Sequence, residues 1–308
     1  LPSGELVLID VGPRNSTLSQ WLRAAPRGTI RDIILTHNDA DHAGALAEIL
    51  ADPGVAIDRV LMLEDRDRSS AKQRALFRPV REHAEARKLK VARLECPPSG
   101  SWVLWADDSA GLALRLRHPA FMDNALSKSP NDASAILTLD LNSETLVVWP
   151  GDALLGRVSE VVKPPVRMLF GPHHGAPQDG NRAVLKAALD TVAPTACFVS
   201  VGTVNRYSHP NPTHITAMAH RRCHVSCTQM TLHCDHERVR KGHHVMDTSG
   251  YFGLPAPATG VFCRGHVRLT VSARGLEFDR YHDVHRQRLA GDAAKGRRLL
   301  CLPRSGAA

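Results

Sequence analysis

His37-Asn38-Asp39-Ala40-Asp41-His42 places four metal-binding side chains within six residues, directly behind the apolar run Ile33-Ile34-Leu35. A short apolar run that ends in such a turn reads as a buried strand delivering ligands to its own end. Ligands this close in sequence can face two ions, with His37 and Asp39 on one and Asp41 and His42 on the other. Imidazole and carboxylate together suit Zn²⁺, Mn²⁺ or Fe²⁺ better than Ca²⁺ or Mg²⁺, which favour all-oxygen shells. Helix capping would account for only one of the two acids.

Around this turn the N-terminal third alternates apolar runs with helical patterns, the mark of α/β layering. Residues 6–10 read as a strand ending at Gly12-Pro13, 17–24 as a helix, and 30–36 as the strand that delivers the cluster. Residues 43–50 form a short helix stopped by Asp52-Pro53-Gly54, and 60–63 another strand. A charged helix follows over 69–90, with Leu76, Val80, Ala84 and Leu89 on its buried side. The middle reads as strands at 101–105, 112–117, 135–141 and 145–149, the last two joined by an Asn142-Ser143 hairpin. Beyond it come strands at 166–170 and 196–201, helices at 182–189 and 212–222, and closing strands at 223–228 and 263–271 around an insertion. The last twenty or so residues read as disordered.

Three later strand ends carry the same residue types. Gly151-Asp152 follows Leu146-Val147-Val148-Trp149; His173-His174 follows Met168-Leu169-Phe170; Tyr207-Ser208-His209 follows Phe198-Val199-Ser200-Val201. A lone histidine or a Gly-Asp pair is usually an ordinary turn. Several strand ends with His or Asp point to one site, because α/β sites form where strand ends converge.

Composition sets the outer bounds. The 308 residues are 43% hydrophobic, enough for one large or two modest domains. No apolar run approaches the roughly 18–20 residues of a bilayer span, and Leu1-Pro2-Ser3-Gly4-Glu5 lacks the order of a signal peptide, so the expected location is cytoplasmic with no membrane partner. With no initial Met and a strand starting at Leu6, the chain reads as having lost its first strand. A net charge of +8 favours an anionic substrate, DNA or RNA among them, although much of the excess lies in 72–90 and 286–304. Aromatics at 5% argue against a stacking platform for single strands.

Of seven cysteines, Cys223, Cys227, Cys234 and Cys263 fall in one region with His224, His233 and His236. Clustering of this kind suggests a structural Zn²⁺ before a disulfide. Cys227, Cys234 and Cys263 with either Cys223 or His236 would complete a tetrahedral shell; reduced, partly buried cysteines are the competing reading.

With these residues in view, the chain resembles the metallo-β-lactamase superfamily, specifically the hydrolase domain of the ComEC/Rec2 competence proteins and their stand-alone relatives. The resemblance rests, in family order, on Val7-Leu8-Ile9-Asp10-Val11-Gly12, residues 36–44, Asn131-Asp132-Ala133-Ser134, Gly151-Asp152, His173-His174-Gly175 and Asn205-Arg206-Tyr207-Ser208-His209-Pro210. It implies a four-layer αββα sandwich of α/β (α+β) class with the site along one edge of two packed sheets, and hydrolysis by a metal-bound hydroxide. It further implies His37, Asp39, Asp41, His42 and Asp152 as ligands, His209 as a late metal or substrate histidine, and His173 and His174 as ligand or proton donor. Asp41, His174 and His209 are the expected catalytic residues. Asp39 replaces the superfamily's more usual histidine, as in the competence-type subgroup. The mid-chain ligand position has no clear histidine; Asn131 and His118 are nearest, which leaves the first metal a thinner shell and an expected occupancy of one ion, or of two Zn²⁺ or Mn²⁺ ions with the second site weak. Without membrane segments, the chain is not expected to be a DNA-uptake channel.

The expected organisation is a hydrolase core over 1–222, closing strands with the Cys/His-rich insertion over 223–280, and a basic tail over 281–308. The expected function is a phosphodiesterase or nuclease; hydrolysis of an ester, lactone or lactam is the alternative, and a catalytically decayed binding or scaffold protein the non-enzymatic one.

Overall fold

A computed structural model describes residues 1, 3–14, 18, 21–22, 29–63, 71–98, 100–127, 129, 131–177, 182–246, 260–297 and 299–302. The chain divides into two compact units, one chiefly Leu1–Trp102 with Leu116–Ala135, the other Val103–Arg115 with Ile136–Phe252 and Ala256–Ala308.

In the first unit β1 (Leu6–Ile9), β2 (Ile30–Ile34), β3 (Ile57–Met62) and β4 (Lys90–Arg93) form a parallel sheet in that order. Parallel neighbours need crossovers. These are α1 (Ala40–Ala43) and α2 (Leu46–Ala51) before β3, and α3 (Ala71–Ala86) before β4. Ile33, Leu35, Leu46, Ile49, Val60 and Val80 share one buried cluster. Buried Asp32 breaks the apolar run of β2 and is paired with Arg59 Nε at 2.5 Å on the neighbouring strand. A short helix, α4 (Phe121–Leu126), belongs to the same unit.

Three expectations need correction in this unit. The single helix over 43–50 is two pieces, because the backbone leaving β1 enters at the break: Val11 and Gly12 donate to the His42 carbonyl, and Ala45 donates to Gly12. Gly44 permits that approach, since a Cβ there would lie 3.1 Å from Pro13 Cα. The helix over 69–90 stops at Ala86, and Lys90 already pairs with Arg59 in β4, an edge strand mostly exposed and so without an apolar run. Of the helix expected over 17–24, Leu18, Trp21 and Leu22 are helical and the others lie outside the described residues.

A seven-stranded sheet, most of it in the second unit, runs in the order β11-β10-β9-β8-β7-β6-β5. Its strands are β5 (Trp102–Asp107), β6 (Leu112–His118), β7 (Ile136–Leu141), β8 (Glu144–Trp149), β9 (Met168–Phe170), β10 (Ala196–Val199) and β11 (His224–Cys227). From β8 to β11 the strands are parallel, while β7 and β8 form the expected antiparallel hairpin. Asn142 and Ser143 both take positive φ, 48° and 73°, which suits a two-residue turn between twisted strands. The helices of this unit are α5 (Leu155–Val161), α6 (Arg182–Val192), α7 (Pro212–His220), α8 (His236–Lys241) and α9 (Tyr281–Ala294). A separate hairpin pairs β12 (Leu269–Ser272) with β13 (Gly275–Phe278).

Here too the structure departs from expectation. The closing strand over 263–271 begins only at Leu269; before it, Arg264 is fully buried and bound to both carboxylate oxygens of Asp279, and the Arg264 and Gly265 amides donate to Cys227 O and Thr228 O at the end of β11. The tail expected to be disordered is helical over Tyr281–Ala294. Its buried Leu289 joins Leu299 in the core of the second unit, and Asp292 takes Arg238 at 2.7 Å. Among the described residues no helix is long and apolar enough to cross a membrane.

Candidate metal centre

Parallel strands place their C-terminal ends at one edge, so consecutive strand ends become neighbours. In the first unit β1 delivers Asp10 and β2 delivers Thr36 and His37. Asp10, at φ 56°, turns its carboxylate toward the next strand end. It accepts from Thr36 N, Thr36 Oγ1 and His42 Nδ1, each at 2.8 Å. A carboxylate only accepts here, so Nδ1 of His42 carries the proton and Nε2 is the lone-pair nitrogen. His37 and His42 are buried with ring centroids 4.0 Å apart. His37 Nε2 lies 3.8 Å from Asp39 Oδ2. Asp39 is the N-cap of α1 without a side-chain cap bond, and Asp41 is exposed in its first turn. The loop itself is pinned by Asn38 Nδ2 to Leu63 O at 3.1 Å and by Ala135 N to Thr36 O at 2.7 Å.

In the second unit β8, β9 and β10 bring Asp152, His173, His174 and the 200–209 loop to one sheet edge. Asp152 is buried and follows Gly151 at φ 54°. Its Oδ2 lies 3.5 Å from His173 Nε2 and its Oδ1 lies 3.8 Å from His174 Nε2. His174 Nδ1 donates to Ser200 O at 2.9 Å, which again makes Nε2 the lone-pair nitrogen. His173 and His174 both adopt left-handed backbone, φ 47° and 51°, at a cost of about 1–2 kcal/mol each. Their turn is held by His173 N to Gly151 O, Ala176 N to His173 O, and Asn211 N to Gly175 O. Strain maintained in this way is a feature of sites that must aim a side chain. Under the turn, buried His214 donates from Nδ1 to Ala176 O at 3.2 Å, and burial pulls its pKa down to about 4. His209 is 5.5 Å from His173, centroid to centroid, and stacks on Tyr207 at 5.7 Å. Arg206 covers the other partner of that stack, its guanidinium 4.7 Å from the Tyr207 ring.

The donor set tests well against a divalent ion. Spacings of 3.5–3.8 Å are too long for good hydrogen bonds. They match the separation of about 3–4 Å between two ligands that share one tetrahedral ion. Nitrogen and carboxylate oxygen together are the chemistry of Zn²⁺ or Mn²⁺.

Other expected residues fall elsewhere. His118 is buried, with Nε2 3.0 Å from Asp132 O, which commits that nitrogen to a backbone carbonyl, and Nδ1 3.5 Å from Asp123 Oδ2. Asn131 heads the turn to β7, its carbonyl accepting from Ser134 N. Cys223, Cys227 and Cys263 are buried free thiols, Cys234 is a half-buried one, and His236 is exposed at the start of α8; Cys263 Sγ lies 3.4 Å from His285 Nε2. Reading from sequence alone overlooked Asp10 as the partner of His42. Its signal was an acid at a strand end two residues before a glycine. Ser200 had no side-chain signal at all, since it acts through its carbonyl.

Residues 2–109 match the family model described as the metallo-beta-lactamase superfamily. The match takes in β1 through β5 and the His37–His42 turn; Asp152, His173, His174 and His209 lie beyond it. No curated protein matches the chain. Among solved structures, Igni18, described as a novel metallo hydrolase from the hyperthermophilic archaeon Ignicoccus hospitalis KIN4/I, is similar at 16% identity over 60% of this chain and 67% of that one, with a TM-score of 0.35. A "Putative metal-dependent hydrolase" from Parabacteroides distasonis ATCC 8503 is similar at 13% identity over 65% and 76%, with a TM-score of 0.34. The mixed α/β architecture is consistent with the metallo-β-lactamase fold, and the matched domain supports a metal-dependent hydrolase.

Proposed function

We propose that the chain is a metal-dependent phosphodiesterase that hydrolyses a phosphodiester in nucleic acid or a nucleotide. The metal-dependent part is supported above all by the paired histidines whose Nδ1 atoms are bound, His42 to Asp10 and His174 to Ser200 O. Bound imidazoles of this kind are pre-set to offer Nε2 to a cation. Within the first unit the candidate ligands are His37, Asp39, Asp41 and His42; within the second, taken by itself, they are Asp152, His173, His174 and His209. When bound, divalent ions supply Lewis acidity and a water activated near neutral pH.

The chain's own residues do the rest. Asp10 and Ser200 O fix which nitrogen of their histidine faces the ion. His209, against Tyr207, is a candidate to protonate the leaving oxygen. Arg206, lying on the exposed Tyr207 ring, adds a cation and an aromatic face beside that histidine, which suits an esterified phosphate better than a neutral lactam. The net charge of +8 and the resemblance to the ComEC/Rec2 hydrolase domain favour the same class.

The test incubates purified protein with Mn²⁺ or Zn²⁺ and single-stranded DNA, duplex DNA, RNA, bis-p-nitrophenyl phosphate and a chromogenic lactam. Phosphodiester cleavage that stops on chelation and in Asp152→Asn, with an unchanged melting curve, is the expected result. Turnover of the lactam alone, or a fully active Asp152→Asn, would overturn the assignment.

A further inference from the structure

The loop from Gly202 to His209, between β10 and α7, is tied down more firmly than a surface connection needs to be. At its start Val201 N donates to Thr228 Oγ1 and Thr203 N to Gln229 Oε1, each at 2.7 Å, and Thr203 Oγ1 accepts from Val261 N, also at 2.7 Å. Asn205 closes the loop. Its Nδ2 donates to Gly202 O at 3.1 Å and to His209 O at 2.9 Å, while its Oδ1 accepts from His209 N at 2.8 Å. One side-chain amide thus pairs with both main-chain groups of His209, as a neighbouring strand would.

This fixed loop turns apolar groups to water. Val204 is 94% exposed and Tyr207 61%, and among the described residues of the second unit Tyr207 is the one aromatic among the exposed large hydrophobic side chains. Ordering the loop costs backbone and side-chain entropy, and a ring left hydrated returns no burial energy to offset it. Loops held in this way on a scaffold are where recognition residues are carried. The Tyr207 ring already belongs to a stack. It lies 5.7 Å from the His209 ring at 18°, the Arg206 guanidinium sits 4.7 Å from its centroid, and Arg206 Nη2 donates to its hydroxyl. His209 in turn stands 5.5 Å from His173, so the stack adjoins the candidate ligands of the second unit.

We propose that Tyr207 and Arg206 form a subsite for one nucleobase flanking the scissile phosphodiester, an assignment that rests on the phosphodiesterase reading and narrows it. Aromatic rings and guanidinium planes are the two surfaces on which proteins stack unpaired bases. Here the two are in contact with each other, beside the histidine that is the candidate donor to the leaving oxygen. The guanidinium also brings a fixed charge and donors for the phosphate of the same nucleotide. A single exposed ring holds one base and makes no strand-length platform, in keeping with an aromatic content of 5%. Bases inside a duplex are already stacked on their neighbours, so the subsite takes unpaired diesters.

Base deletion in the substrate separates stacking from hydrolysis. The probes are the thymidine dinucleotide and its two analogues that each lack one base, all with the same diester charge, assayed on the full-length protein in Mn²⁺ or Zn²⁺. One of the analogues should lose about 5- to 150-fold in kcat/KM against the intact dinucleotide. In Tyr207→Ala that preference should vanish, because base and ring remove the same contact. Tyr207→Phe, which keeps the ring, should retain it, and Arg206→Gln, a second change to an exposed side chain, should reduce it. An octathymidylate should lose no more in Tyr207→Ala than the dinucleotide does; a loss that grows with length means a strand platform and overturns the single-base assignment. Should the unsubstituted protein hydrolyse none of the probes, the phosphodiesterase reading falls, and calorimetric Kd values for the same three dinucleotides decide the subsite, with the same pattern expected. Equal values for the three dinucleotides in the unsubstituted protein, or a base preference undiminished in both Tyr207→Ala and Arg206→Gln, overturns the subsite and leaves the hydrolytic reading standing wherever cleavage is seen.

Discussion

The Asp10 carboxylate accepts from the Thr36 amide, the Thr36 hydroxyl and His42 Nδ1, so one residue sets both the loop and the tautomer of a candidate ligand. Replacing it by Asn leaves the shape but lets an amide N–H meet Nδ1, which favours the wrong tautomer. Asp10→Asn should weaken Zn²⁺ or Mn²⁺ binding about 10–100-fold, read by calorimetric titration, with little change in melting. His214 makes a different prediction. Burial holds its pKa at about 4 rather than 6.5, with the bond to Ala176 O opposing. Between those values the unfolded chain binds the proton and the folded chain does not. Its contribution is therefore complete above the unfolded value and lost as pH falls toward the folded one, about 3 kcal/mol in all. Urea midpoints taken from about pH 7 down to about pH 4 should fall less steeply in His214→Leu than in the parent; parallel curves would refute this. His42 and His174 were legible as histidines at strand ends. Which of their nitrogens is engaged was not, because that depends on a carboxylate and a carbonyl 32 and 26 residues away.

At the scale of elements, strands were readable wherever both faces are buried. β8 and β10 are apolar runs because each lies between two neighbouring strands inside the seven-stranded sheet with most of its residues buried. β4 and β13 were invisible, since an exposed edge strand and a small hairpin need no such run. α9 was hidden for the opposite reason: its basic residues suggested solvent, while only His285, Leu289 and Asp292 are buried along it. Leu289→Ala should therefore cost about 2–4 kcal/mol in denaturant unfolding. A loose tail would show no change. The His173-His174 turn is likewise a tertiary product. Gly175 at φ 75° would place a Cβ 2.7 Å from Pro210 Cβ, so the two loops close on each other only through a glycine.

For the whole molecule, charge is the property with the longest reach. If the substrate is a polyanion, kcat/KM on single-stranded DNA should fall linearly in logarithm with the logarithm of salt from about 50 to 200 mM, because bound counterions are released on contact. Bis-p-nitrophenyl phosphate, with a single charge, should show a far shallower slope. Equal slopes would mean that the basic residues do not meet the substrate. The sequence by itself determined the α/β class, the position of most strands, and the ligand-type residues at their ends, because buried strands and metal donors are local patterns of polarity and residue type. Tertiary structure alone decided the rest. Asp10 became the partner of His42, and Nε2 of His118 was committed to the Asp132 carbonyl. Each of those pairings joins residues that sequence separates, and only strand order and helix packing bring them within a few ångströms. The hexad from His37 to His42 announces a metal; the geometry around it is written by the rest of the chain.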